Sequence, residues 1–142
     1  MTKMNRKGFT LVELLAVIVV LAIIMIVAIP SVINAMNDAR KASFKVYAQK
    51  VLNQAQMKYG TDSLLGTGAG KTCYTLSDLD MKNTGNYTGR VVVTLDTNQM
   101  PTAYEVTLND KSFTAEGLDY ADLNDTTKIV PYKATAKYDC TP

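Results

Sequence analysis

Few side chains in this sequence are of a type and spacing that could do chemistry. Histidine is absent from the 142 residues, which excludes His-based triads, Cys–His dyads and zinc sites that need an imidazole. Cys73 and Cys140 are the two cysteines, and they have no C-x-x-C spacing. Gly70-Lys71-Thr72 imitates the end of a phosphate-binding loop, but five positions before Gly70 stands Leu65 rather than glycine. Asp119, Asp122 and Asp125, with Asn124 nearby, form one acidic run, and Asp78 and Asp80 form another. Neither matches the D-x-[DN]-x-[DN]-G pattern of a calcium loop, so solvated acidic loops are expected and no metal or cofactor is assigned. Glu13 is different, because its neighbours on both sides are apolar.

The element that positions Glu13 is an apolar run from Phe9 to Ile29. Within it only Thr10 and Glu13 fall outside the hydrophobic set. A helix of this length spans the roughly 30 Å hydrocarbon core of a bilayer. Lys3, Arg6 and Lys7 precede the run, and after Glu13 no charge occurs until Asp38. The basic flank should stay cytoplasmic and the remainder of the chain outside. A cleavable secretory signal is the competing reading. Its apolar region would exceed the usual 7–15 or so residues, and Ile33-Asn34-Ala35 is a poor cleavage site. An ionised side chain at Glu13 costs roughly 2.5–3.5 kcal/mol on insertion scales, so a partner or a function is expected there. Pro30 then interrupts the hydrogen-bond ladder, predicting a kink.

Lys7-Gly8-Phe9-Thr10-Leu11-Val12-Glu13-Leu14-Leu15, with Pro30 downstream, resembles the class III leader of type IV pilins and pseudopilins. The resemblance covers about the first 30 residues. It implies cleavage after Gly8 by a prepilin peptidase on the cytoplasmic side, followed by N-methylation of Phe9. It implies that Glu13 sets assembly and registry by pairing with the Phe9 amine of a neighbouring subunit in the filament. It also gives Pro30 a second role, as the place where the helix melts on assembly.

Beyond Pro30 the apolar positions become one-sided. Phe44, Ala48, Val51, Ala55 and Tyr59 recur at helical spacing, with Tyr47 and Leu52 beside them. Arg40, Lys41, Lys45, Lys50, Asn53 and Lys58 take much of the remainder. Gly60 is the expected terminator, with Lys58 in the last turn. A loop is expected from Leu64 to Lys71 and a short helical turn at Thr75–Leu79. Strands are expected at Arg90–Leu95, Ala103–Leu108, Lys111–Glu116 and Lys128–Lys133. Thr97–Pro101 should turn between the first two, and Asn109-Asp110 should form the next hairpin turn. One face of the sheet should cover the Phe44–Tyr59 stripe.

The expected fold class is therefore α+β. Residues 1–8 form a removable leader, 9–30 a membrane and filament-core helix, 31–60 its amphipathic half, and 61–142 a globular β-rich head on a small antiparallel sheet. Outside the cytoplasm Cys73 and Cys140 can form a disulfide closing most of the strand region, as near-terminal disulfides do in type IV pilins; two unpaired buried thiols are the alternative. The resemblance implies a non-enzymatic structural subunit of a surface filament serving adhesion, motility or DNA uptake. A pseudopilin of a secretion or competence machine is the alternative, and a signal-anchored extracellular binding module that never polymerises is another. The implied partners are further copies and related pilins, the prepilin peptidase, the platform protein of the assembly machine, and the cytoplasmic membrane before surface assembly. Nucleic acid is not among them: without Lys3, Arg6 and Lys7 the 15 basic side chains fall to 12 against 13 acidic ones.

Overall fold

A computed structural model describes residues 8–68, 70–81 and 86–141. Lys3, Arg6 and Lys7 of the leader lie outside the described residues, as does Ala69 of the glycine-rich loop. The chain divides into two compact units, residues 1–39 and 40–142. In the first, the apolar run forms helix with its side chains exposed, and it is long and apolar enough to cross a membrane. The helix, α1, spans Leu11–Leu64 and continues through Pro30 without interruption. Proline has no N–H, so the carbonyl of Ile26 lacks its intrahelical donor at that point.

In the second unit α1 packs on an antiparallel sheet. Strands β1 (Cys73–Thr75), β2 (Thr88–Leu95), β3 (Pro101–Asn109), β4 (Phe113–Leu118) and β5 (Val130–Pro131) lie side by side in chain order. The predicted stripe is the buried face: Phe44, Ala48, Val51, Leu52, Ala55 and Tyr59 are all buried. Period-2 alternation supplies the facing layer, with Val91 paired to Val106 and Val93 to Tyr104. The Phe44 ring centroid lies 6.1 Å from those of Tyr87 and Phe113, and Tyr47 stacks on Tyr87 at 3.9 Å. Apolar burial on this scale supplies the main stabilisation of the unit.

Several boundaries differ from expectation. Gly60 does not end α1, because its neighbours are anchored: the Tyr59 hydroxyl donates to the Gln99 carbonyl at 2.9 Å, and Lys58 pairs with Asp62 at 2.8 Å. Those contacts outweigh the roughly 1 kcal/mol that a glycine costs in a helix interior. The helix ends instead at Leu64, with Gly66 left-handed at φ 68°. There the Asp62 carbonyl accepts from the amides of Thr67 and Gly68, and a Cβ on Gly68 would lie 2.5 Å from Asp62 Cβ. Gly66 and Gly68, ahead of the Gly70-Lys71-Thr72 imitation, thus serve to close a helix end.

The hairpin turn between β3 and β4 is centred on Lys111-Ser112, two residues after the expected pair. The Asp110 carboxylate takes the amides of Ser112 and Phe113 at 2.9 and 2.7 Å, which moves the turn forward. Further along, Glu116 and Gly117 together oppose Thr107, whose hydroxyl accepts from the Gly117 amide at 3.1 Å. This bulge carries β4 on to Leu118. The last strand shrinks to Val130–Pro131, and β1 was not anticipated. The turn after β1 is as expected: the Thr75 amide and hydroxyl both donate to Asp78 Oδ2 at 2.9 Å, and the Asp78 amide returns to the Thr75 hydroxyl. Asp96 likewise organises the β2–β3 turn by accepting from the amides of Asn98 and Met100.

Cys73 and Cys140 form a disulfide, with Cα atoms 5.8 Å apart. It fixes the short strand β1 and the C-terminal segment together. That segment also lies across the outer face of the sheet: Arg90 donates to the Asp139 carbonyl at 2.8 Å, and the Lys133 amide donates to the Thr114 hydroxyl at 3.0 Å. Beside Cys73, Tyr74 is fully buried and its hydroxyl has no hydrogen-bond partner among the described residues. Burial, then the nearby Asp62 carboxylate, pushes its pKa up to about 12.

Three measurements test this packing. Phe44→Ala is expected to lower unfolding stability by about 3–5 kcal/mol. By contrast, Val46→Ala, at a position 63% exposed, should change it by less than about 0.5 kcal/mol. Reductant is expected to lower the denaturant midpoint by the equivalent of about 4 kcal/mol, the chain-entropy value for a loop of this size, and to change mobility on a non-reducing gel. The Tyr74 phenol is neutral when buried, so its contribution is complete below its ordinary pKa of 10.0 and is lost as pH rises toward about 12. Alkaline titration followed by tyrosinate absorbance should therefore show one phenol that ionises only as the head unfolds.

Candidate assembly site

Gly8, Phe9 and Thr10 precede α1 and are neither helical nor buried. Phe9 is 92% exposed. A Cβ placed on Gly8 would meet nothing within 4 Å among the described residues. Helix begins at Leu11 because Thr10 caps it. The Glu13 amide donates to Thr10 Oγ1 at 3.2 Å, and the Thr10 amide and hydroxyl donate to Glu13 Oε2 at 2.9 and 3.0 Å. This reciprocal arrangement is a capping box, which satisfies two donors at a helix end that otherwise lack intrahelical partners. A negative carboxylate in the first turn also opposes the positive end of the helix dipole.

Glu13 therefore has a partner within its own chain, one that went unrecognised at the sequence level. Its sequence signal is the Thr10-x-x-Glu13 spacing, set within an apolar run whose composition speaks only to membrane cost. Both Thr10 bonds go to Oε2, which leaves Oε1 without a hydrogen bond among the described residues. Pro30 lies 17 residues further along the same helix.

The acidic clusters have local occupations. Asp119 accepts from the Asp122 amide at 2.6 Å, Asp125 accepts from the amide and hydroxyl of Thr127, and Asp122 pairs with Lys128. The Thr127 bonds hold the Asp125 carboxyl below its ordinary range. Burial acts to raise Asp78, but hydrogen bonds from Thr75 and the Lys71 ammonium outweigh it and leave that carboxyl lowered as well. Among the described residues no group of three or more acidic or cysteine side chains is placed to hold a metal ion.

An apolar helical start with a capped, non-helical entry, followed by a helix half packed on an antiparallel sheet, is a pilin-like layout. Residues 3–29 match the prokaryotic N-terminal methylation motif. That motif is the class III leader of type IV pilins and pseudopilins, which these residues resemble. The match takes in Gly8, Phe9, Thr10 and Glu13 together and does not extend to the sheet. The chain matched no curated protein and no solved structure.

Proposed function

We propose that this chain is the structural subunit of a type IV pilus-like filament, stored in the cytoplasmic membrane and assembled through its N-terminal helix. The observation that carries this reading is an ionisable Glu13 held in the first turn of an apolar helix, inside a methylation motif. Prepilin peptidase cuts after Gly8, and the Phe9 amine so created is N-methylated and still able to carry a proton. A subunit entering the filament pairs that amine with the free Oε1 of Glu13 on a subunit already in place. In an apolar filament core the pair neutralises two charges that are expensive apart, and removing one strands the other at a cost of about 3–5 kcal/mol. The charge pair sets register, while the apolar helix faces provide adhesion between subunits.

The residues from Phe9 to Pro30 then form the filament core, with Pro30 as the point where the helix loses its ladder on assembly. The disulfide-closed head faces outward and carries the adhesive, motile or DNA-uptake role of the filament. Mass spectrometry of the mature N-terminus tests the reading: it should begin at N-methylated Phe9, and an intact Met1 or a start near Ser31 would overturn it. Glu13→Ala should insert into the membrane normally yet be absent from sheared filaments, whereas wild-type incorporation would remove the registry role. Long surface filaments separate a pilus subunit from a pseudopilin, whose assemblies remain short.

A further inference from the structure

Tyr47 and Tyr87 meet face to face. Their ring centroids lie 3.9 Å apart, with 20° between the planes. Aromatic pairs pack well offset or edge-on at roughly 4.5–7 Å, so filling a core does not by itself call for so close an approach. Tyr59 and Tyr104 show the ordinary form, with centroids 6.3 Å apart and planes at 83°. Tyr47 lies on α1 and Tyr87 immediately precedes β2, and both are partly buried against the core. The ring of Phe44 lies 6.1 Å from that of Tyr87 and as far from that of Phe113. Neither phenylalanine has a phenol to oxidise. Within this cluster Tyr87 therefore has one redox-competent ring in contact, and that ring is stacked on it. The disulfide joins β1 to the C-terminal segment, so no covalent link among the described residues holds α1 to the sheet.

We propose that Tyr47 and Tyr87 form an oxidative cross-linking site, at which a peroxidase-type oxidant acting with hydrogen peroxide joins the two rings as a dityrosine. A phenol that loses an electron and a proton becomes a phenoxyl radical. Its unpaired spin occupies orbitals perpendicular to the ring, on the oxygen and on the ortho and para carbons. Two such radicals couple where those orbitals overlap. Stacked rings provide that overlap, and rings set edge to face do not. The two phenols together give up two electrons and two protons, which reduce one peroxide to two waters. One C–C bond forms between an ortho carbon of each ring. The hydrogen on each joined carbon then moves to the phenol oxygen, and both rings regain aromaticity. The product clips α1 to the start of β2 and, like the disulfide, restricts the unfolded chain. The geometry lies within the head, and the cross-link does not require the filament reading.

The experiment treats dilute full-length chain in detergent micelles with a peroxidase and hydrogen peroxide. Products are read by intact mass, dityrosine fluorescence and tryptic peptide mapping. The expected product is a monomer lighter by two hydrogen atoms, with a tryptic peptide that joins residues 46–50 to residues 83–90. Tyr47→Phe and Tyr87→Phe, which keep the ring and lose the phenol, should each abolish that peptide. Tyr59→Phe should leave it at the wild-type yield. In denaturant the yield should fall by about tenfold or more, because the fold no longer holds the reacting carbons together. Oxidised chain that lacks this peptide, although its methionines or other tyrosines have reacted, overturns the inference. An equal yield from denatured chain also overturns it, because the stack would then contribute nothing. Cross-linked dimers in place of the internal link, or an undiminished link in Tyr47→Phe, overturn it as well.

Discussion

One continuous helix carries two different kinds of surface, and most of the structure follows from what each requires. Over Leu11–Ile29 the side chains are apolar on every side, apart from Glu13, and remain exposed. A surface of that kind is stable only in lipid or against other apolar helices. From Phe44 to Tyr59 the apolar positions narrow to a single stripe, which the sheet covers. Backbone hydrogen bonding is satisfied within the helix throughout, so the chain can pass between the two environments without exposing a run of unpaired amides. The exceptions are the helix start and Pro30, and these are the places where the proposed processing and assembly occur.

The start of the helix shows how a costly group can be made useful. A carboxylate inside an apolar run requires compensation. Thr10 supplies it locally by donating its amide and hydroxyl to one oxygen. The other oxygen keeps its acceptor capacity, which is what an incoming amine would need. A residue that appears in the sequence as a liability in the membrane is, in the structure, also the reason the helix begins where it does. The same economy appears in the head. Asp78, Asp96, Asp110 and Asp125 each accept backbone amides in a turn, and so these acidic side chains order loops.

The disulfide and the C-terminal segment address the weakness of a small sheet. Its outer strands are only three and two residues long, too short to be stable on their own pairing. Cys73 lies in the first of them, and its bond to Cys140 ties that edge to the end of the chain. Thr114, fully buried, receives the Lys133 amide and meets the Tyr138 hydroxyl at 3.3 Å, so the segment between β5 and Cys140 is held across the polar face. Short edges that are tied down in this way are also poor templates for pairing with other chains.

Much was legible in the residues because it depends on local periodicity. The apolar run, the Phe44–Tyr59 stripe, the alternation along β2 and β3, and the leader pattern around Gly8 and Glu13 are all repeats of period 3.6 or 2, or contiguous motifs. Physical chemistry reads these without reference to the rest of the chain. The positions where structure and sequence pattern differ depend on partners distant in sequence, or on competition between local signals. Gly60 stays helical because Tyr59 reaches the turn at Gln99, 40 residues away. The β3–β4 turn moves because Asp110 captures two amides ahead of it, and β1 forms because Val91 and Val92 are available to pair with Tyr74 and Cys73. Periodicity and motif thus determined which faces are buried and which residues match the methylation motif. Where several elements stop was decided by tertiary contacts or by side chains competing for nearby amides, since ending a helix or strand costs little locally and a single hydrogen bond or packed ring is enough to move the boundary.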